Sequence, residues 1–216
     1  MDDYHILYPI KQLSIRIPAT ILSHTQLSFN QKLILGLDYT YSLKTGYTFK
    51  KSKEIGELLN LHPNIISYCR KQLLNKGFIR IEDRKYVITD LHTEFEVDDK
   101  REIMLPFQVY SNPDIITGAK LLWGEYNSIS KGHKEYFAKR LYTAKRLNAS
   151  EESITNWTKL LSESNLLLKY AHKIAYCKNQ KVVITINFIK AENQSKKKSS
   201  FKKNNFNLLG YYDYPV

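Results

Sequence analysis

The sequence is poor in the residues that staple, ligate or cradle. Its two cysteines, Cys69 and Cys177, are too few for a disulfide framework and form no ligand cluster, so free thiols in a reducing, cytoplasmic setting are expected. The six histidines (His5, His24, His62, His92, His133 and His172) are scattered without metal-ligand spacing, and no metal or other cofactor is expected. No Gly-rich loop runs into Lys-Ser/Thr to hold phosphates, and no paired-histidine signature is present. No apolar run approaches the roughly 20 residues needed to span a bilayer, so no membrane partner is expected. The start, Met1-Asp2-Asp3-Tyr4-His5, lacks the basic first region of a secretory signal. Sixteen tyrosines raise the idea of a tyrosine nucleophile, but no cluster of arginine and histidine accompanies one. They read as core and interface residues, and no enzyme is expected.

Acid is scarce as well. Thirty-three Lys and Arg stand against 21 Asp and Glu, for a net charge of +12. Residues 11–90 carry 13 basic and 6 acidic side chains, and residues 100–190 carry 15 and 7. The acid gathers elsewhere, at Asp2-Asp3 and at Glu94, Glu96, Asp98 and Asp99. Two basic segments point to a polyanion as partner, with a surface that serves only solubility as the competing reading.

What the chain does contain is itself, twice. Shifted by 88 positions, the distance from Pro18 to Pro106, Ile15–Ile79 lies over Ile103–Leu167 without a gap. The coincidences include Ile15/Ile103, Ser23/Ser111, Lys32/Lys120, Leu33/Leu121, Gly36/Gly124, Phe49/Phe137, Lys51/Lys139, Leu59/Leu147, Asn60/Asn148, Ile66/Ile154, Lys71/Lys159 and Leu73/Leu161. The period is too long for a solenoid unit and indicates a duplicated small domain. The expected organisation is a first domain over 11–90, a linker over 91–102, and a second domain over 103–190. A polar, lysine-rich stretch and an aromatic tail occupy 191–216.

Within the first copy, Leu13–Pro18 alternates as an edge strand. Ser28-Phe29-Asn30-Gln31 has capping-box spacing for a helix to about Leu43 that buries Leu33, Leu37 and Tyr41. Phe49 suits a short extended piece. A second helix starts at Ser52 with Ile55, Leu58 and Leu59 inward, and Asn60-Leu61-His62 breaks it. Pro63 then suits the first position of a third helix, since its missing N–H would be unsatisfied there anyway. Ile66, Cys69 and Leu73 recur in it at helical spacing. Gly77 ends it, and Phe78–Glu82 pairs with Lys85–Asp90 across a tight turn. The second copy repeats the plan with helices over Thr117–Ser130, Lys139–Leu147 and Glu151–Asn165, the last burying Ile154, Trp157 and Leu161. Ser150 is its N-cap. Its hairpin is longer, Leu166–Cys177 and Val182–Ile189 around Lys178–Lys181. Phe95 and Val97, between the copies, are able to add a strand to either hairpin.

Strand, helix, helix, turn, helix and hairpin are the plan of a winged helix-turn-helix. The expected fold class is α+β: two tandem winged helix-turn-helix domains, each a three-helix core with a β-hairpin wing. Residues Ser28–Ile79 resemble the winged helix-turn-helix domains of bacterial regulators and of plasmid and phage replication-initiation proteins. The resemblance rests on Phe49, Ile55, Leu58–Ile66 and Leu73–Ile79. It departs at His62, where such families commonly carry a small or polar cap, and at Arg70, where they carry leucine. It implies a protein that binds double-stranded DNA with the third helix in the major groove.

On that reading the exposed face of the first third helix presents Asn64, Ser67, Tyr68, Lys71 and Asn75 for base reading. Asn suits adenine, and Lys71 suits guanine or a phosphate. The second presents Glu152, Thr155, Asn156, Lys159 and Glu163; its acidic first turn suits the helix dipole but sits badly beside phosphates. Of these, Thr155, Asn156 and Lys159 are the base-reading candidates. The backbone candidates are Lys51, Lys53, Arg84 and Lys85 in the first copy, with Lys139, Arg140, Lys145, Arg146, Lys178 and Lys181 in the second. Solvated helix faces and hairpin turns are the alternative reading of both sets. Lys196–Lys198 with Lys202-Lys203 suits loose phosphate binding or a solvated linker. The tail, Phe206–Tyr214, is a candidate surface for a protein partner or a second copy, alongside packing on its own domain.

Overall fold

The repeat in the sequence is a repeat in the backbone. The computed structural model describes residues 13–48, 50–173 and 180–188, with the backbone alone at 172, 173, 180 and 181. In the first half, β1 (Ile15–Ile17), α1 (Ala19–Leu22), α2 (Phe29–Thr45), α3 (Ser52–Leu59) and α4 (Pro63–Asn75) precede a hairpin of β2 (Ile79–Glu82) and β3 (Lys85–Ile88). In the second, β4 (Ile103–Leu105), α5 (Phe107–Tyr110), α6 (Thr117–Ser130), α7 (Arg140–Leu147) and α8 (Glu151–Glu163) precede β5 (Leu167–Lys173) and β6 (Gln180–Thr185). The described residues are thus α+β, with helices and three small antiparallel sheets. The short helices α1 and α5 were not expected from the sequence.

The local chemistry is that of the pattern. Ser28 and Gln31 close a reciprocal capping box at the start of α2. Pro63 occupies the first turn of α4, and His62 Nδ1 accepts from the Asn64 N–H at 3.2 Å, so histidine serves as the cap. Ser150 does the same for α8 by accepting from the Ser153 N–H. Asn60 and Asn148 end α3 and α7 with φ of 53° and 54°, the left-handed region that asparagine tolerates better than most residues.

The two halves are joined as a pseudo-dimer. β1, expected at the edge of the first copy, pairs antiparallel with β4 of the second, in the register Ile15↔Leu105, Arg16↔Met104 and Ile17↔Ile103. Arg16 and Met104 are equivalent positions, so the pairing is symmetric about them. Ile15, Ile17, Ile103 and Leu105 are fully buried, each contributing roughly 1.5–3 kcal/mol. Close packing of these strands on α2 and α6 requires the repeated glycines. A Cβ at Gly36 would lie 2.5 Å from Ile17 Cγ1, and one at Gly124 would lie 2.7 Å from Leu105 Cδ2.

The repeated lysines complete the symmetry. Lys32 Nζ donates to the Leu147 carbonyl at 2.8 Å, and Lys120 Nζ donates to the Leu59 carbonyl at 2.9 Å and to that of Tyr110 at 2.7 Å. Each buried ammonium thus meets the C-terminal carbonyl of a helix in the opposite half, where the helix dipole favours a cation. Burial lowers both lysines to a pKa of about 8.

Residues 91–102 connect the halves but are built into them. Asp90–Glu94 is a 3-10 turn with His92 buried, and Phe95 stacks on His24 with ring centroids 4.5 Å apart. Phe95 and Val97 add no strand. Asp99 and Arg101 enter an ion network with Glu125 and Arg146. Burial acts to raise the Asp99 carboxyl, but hydrogen bonds from Arg101 and Tyr142 overcome it and hold the group well below the usual carboxylate range. Met1–Ile186 is one compact unit; the second, Asn187–Val216, adds only Asn187 and Phe188 to the described residues. The strand expected over Val182–Ile189 is instead β6, which begins at Gln180, inside the expected turn, and stops at Thr185 before Ile186. Phe49, the expected strand Leu166–Cys177 beyond Lys173, and the tail expectations for 191–216 lie outside the described residues.

Candidate nucleic-acid interface

In the first half α4 is held from behind by an ion pair that frees its front. Arg70 Nη2 donates to Asp38 Oδ1 of α2 at 2.6 Å, with both side chains almost fully buried. Arg70 Nη1 donates to the Lys50 carbonyl at 2.6 Å, and the guanidinium lies 4.2 Å from the centroid of the Tyr86 ring in β3. One side chain thereby fixes α4 against α2, the loop before α3, and the hairpin. A leucine at this position would only pack, whereas the arginine also fixes direction.

The opposite face of α4 is open. Asn64, Ser67, Tyr68, Lys71 and Asn75 are all exposed, Tyr68 to 63%, and no acidic residue lies within the helix. Ser67 Oγ donates to Ser52 Oγ of α3 at 2.9 Å, which ties the face to the preceding helix. Lys51 and Lys53 are exposed at the N-terminus of α3. At the hairpin tip, Asp83 and Arg84 have φ of 48° and 63°, a type I′ pair in which glycine or asparagine is usual. Arg84 is exposed, while Lys85 Nζ sits 4.1 Å from the centroid of the Tyr47 ring and is already engaged.

The second half positions its α8 differently. Asp38 and Arg70 correspond to Tyr126 and Thr158, and that pair makes a neutral hydrogen bond of 2.7 Å at the same place. Trp157, where the first half has Cys69, packs against Gly118 and stacks edge-on with Phe29 across the junction, centroids 5.0 Å apart. On the exposed face, Asn156 and Lys159 are free of the core. Lys159 lies 4.0 Å from Glu163, and the Thr155 hydroxyl is turned back to the Glu151 carbonyl. Glu151 and Glu152 are exposed beside them.

Lys139 and Lys145 are exposed and Arg140 is half-exposed along α7, whose first turn carries no acidic residue. A helix N-terminus with basic rather than acidic flanks is suited to an anion. Arg146 is a correction to the backbone set: it is 5% exposed. Its Nε donates to Glu125 Oε2 at 2.7 Å, its Nη1 to the Asp99 carbonyl, and its Nη2 to the Arg101 carbonyl. A cation spent on a fully buried carboxylate has no reach to a phosphate. Lys178 lies outside the described residues, and at Lys181 only the backbone is described.

No protein-family model matches the chain, and no curated protein is significantly similar to it. No helix among the described residues is long and apolar enough to cross a membrane. The sequence reading missed the Asp38–Arg70 pair and the reciprocal lysines. Both had a signal in the alignment of the halves, Lys32/Lys120 as an identity and Asp38/Tyr126 with Arg70/Thr158 as a paired exchange.

Proposed function

We propose that this chain is a non-enzymatic protein that binds double-stranded DNA and reads a two-part site through two winged helix-turn-helix units. The role would be that of a transcription regulator or replication initiator of bacterial, plasmid or phage type. The observation that carries the reading is the outer face of α4: five exposed side chains able to meet base edges or phosphates, on a helix without acid, in a chain of net charge +12. The element order of each half supports it, as do Lys139, Arg140 and Lys145 on the second. The first unit would read bases, and the second, with Glu151 and Glu152 at its front, would chiefly hold the backbone. Unequal faces then give unequal half-sites.

Salt dependence tests the reading. Contact with six or more phosphates should lower duplex affinity by about 10³-fold or more between 50 and 200 mM salt. Reversing Lys139 and Lys145 to glutamate should weaken binding to all sequences alike, and a loss confined to one sequence would overturn the assignment of the second unit. The alternative is a tandem winged-helix scaffold that binds proteins. Its contact surface would draw on exposed apolar side chains such as Leu141 and Leu168 of the second half, 62% and 66% exposed. Absence of duplex binding at low salt would leave that reading standing.

A further inference from the structure

We infer that the two half-sites run in opposite strand polarity about one centre, forming an imperfect inverted repeat that a single chain occupies. The inference rests on the DNA-binding reading above and goes beyond it by specifying the form of the site. A second domain added by translation would present its reading helix in the same direction as the first, and would call for a direct repeat. The contacts in this chain are of the other kind. They are isologous: a residue of one half meets, in the other, the counterpart of the residue that its own counterpart meets.

Three sets of contacts define the relation. β1 and β4 run antiparallel about Arg16 and Met104, which are equivalent positions. Lys32 reaches the Leu147 carbonyl, and its counterpart Lys120 reaches that of Leu59, the counterpart of Leu147. Thr117 Oγ1 donates to Asn30 Oδ1 at 2.6 Å, joining residues one position from equivalence. A two-fold axis therefore passes through the β1–β4 pair at one end and beside Asn30 and Thr117 at the other.

Both helix-turn-helix turns lie at the second end. Asn148 Nδ2 donates to the Thr25 carbonyl at 3.1 Å. Asn60 and Leu61 line a cavity with Asn30, Thr117 and Trp157. The helices α4 and α8 thus begin on one side of the molecule, away from the β1–β4 strands. Duplex DNA has local two-fold axes of its own perpendicular to the helix, so readers related by a two-fold meet half-sites of inverted polarity. The bases of the two halves differ because the readers do: Asn64, Ser67, Tyr68 and Asn75 correspond to Glu152, Thr155, Asn156 and Glu163, and only Lys71/Lys159 is shared.

The test starts from the site that the full chain selects out of a random duplex pool. A chain with Glu152→Asn, Thr155→Ser, Asn156→Tyr and Glu163→Asn then carries the first reading face twice. Two duplexes are offered, each with the first half-site twice at the selected spacing, one inverted and one direct. The grafted chain should favour the inverted duplex by about tenfold or more, since a wrongly oriented half-site mismatches several base pairs, and should bind it one to one. Equal affinity, or preference for the direct duplex, overturns the inference.

A second measurement needs no graft. An iron chelate is attached in turn at Asn75→Cys and Glu163→Cys, with Cys177→Ser, and cuts the selected duplex. Cleavage mirrored about the site centre supports inversion; cleavage repeated by translation refutes it. Failure of the wild-type chain to bind any duplex at low salt refutes the DNA-binding reading itself, a result distinct from both.

Discussion

The Asp38–Arg70 pair allows a sharp test because the molecule contains its own control. Replacing Arg70 with methionine keeps the bulk but leaves a carboxylate with 0% exposure opposite apolar atoms. Removing one partner of a buried pair costs about 3–5 kcal/mol, so Arg70→Met should lower unfolding stability by that amount at neutral pH. Asp38→Tyr alone should also destabilise, because Arg70 then keeps only the Lys50 carbonyl and the Tyr86 ring. The double change Asp38→Tyr with Arg70→Thr installs the pair that the second half uses at 2.7 Å. It should recover most of the loss and, with Arg70→Thr as the second single variant, give a coupling energy of at least about 2 kcal/mol in a double-mutant cycle.

Urea unfolding followed by circular dichroism measures the wild type, Arg70→Met and the three variants of the cycle. pH gives a second handle. Burial raises the Asp38 carboxyl and Arg70 opposes it, so in Arg70→Met the folded pKa lies above the unfolded one. Such a variant holds its full stability below the unfolded pKa, and loses it as pH rises through the folded value. Its deficit relative to wild type should therefore shrink in acid. A cost below about 1 kcal/mol for Arg70→Met, or additive single effects, would refute the view that a desolvated charge pair fixes α4.

Three further outcomes are expected. Lys32 and Lys120 have folded pKa values of about 8, below the ordinary 10.5; the folded state then binds fewer protons, so stability should rise as pH goes from 8 to 10.5, by about 3 kcal/mol per lysine, and Lys32→Met with Lys120→Met should flatten that rise in urea titrations. Gly36→Ala should cost about 1–3 kcal/mol by forcing Ile17 off the helix, read as a lower thermal midpoint, and an unchanged midpoint would show that β1 yields easily. Arg84→Gly should raise stability by up to about 1 kcal/mol by removing a side chain from left-handed backbone, while reducing duplex affinity in a filter-binding assay; unchanged affinity would remove Arg84 from the interface.

The boundaries of the helices were legible because their determinants are local. Capping-box spacing at Ser28, Pro63 at a first turn, and asparagines at Asn60 and Asn148 act within a few residues. The exposed set on α4 was legible for the same reason, since Ile66, Cys69 and Leu73 define the opposite face. What escaped depends on contacts across a half or across the junction. Nothing near Leu13–Pro18 says that its partner strand lies at Ile103–Leu105. Arg146 looked like another basic surface residue because Glu125 and the carbonyls that hold it lie 21 to 47 positions away. The stretch 91–102 reads as a linker because nothing within it shows that Asp99 and Arg101 are partners of the buried Arg146 and Glu125.

Covalent fusion of the two halves changes how occupancy responds to abundance. Two separate subunits must first find each other, so below their dissociation constant the amount of assembled pair falls with the square of concentration. Here the second half is already present beside the first at an effective concentration set by the β1–β4 pairing and the connecting chain. The pairing of the halves is therefore complete at any copy number, and on the DNA-binding reading proposed above occupancy by single chains would rise in direct proportion to abundance below saturation, without the threshold that a dissociable dimer imposes.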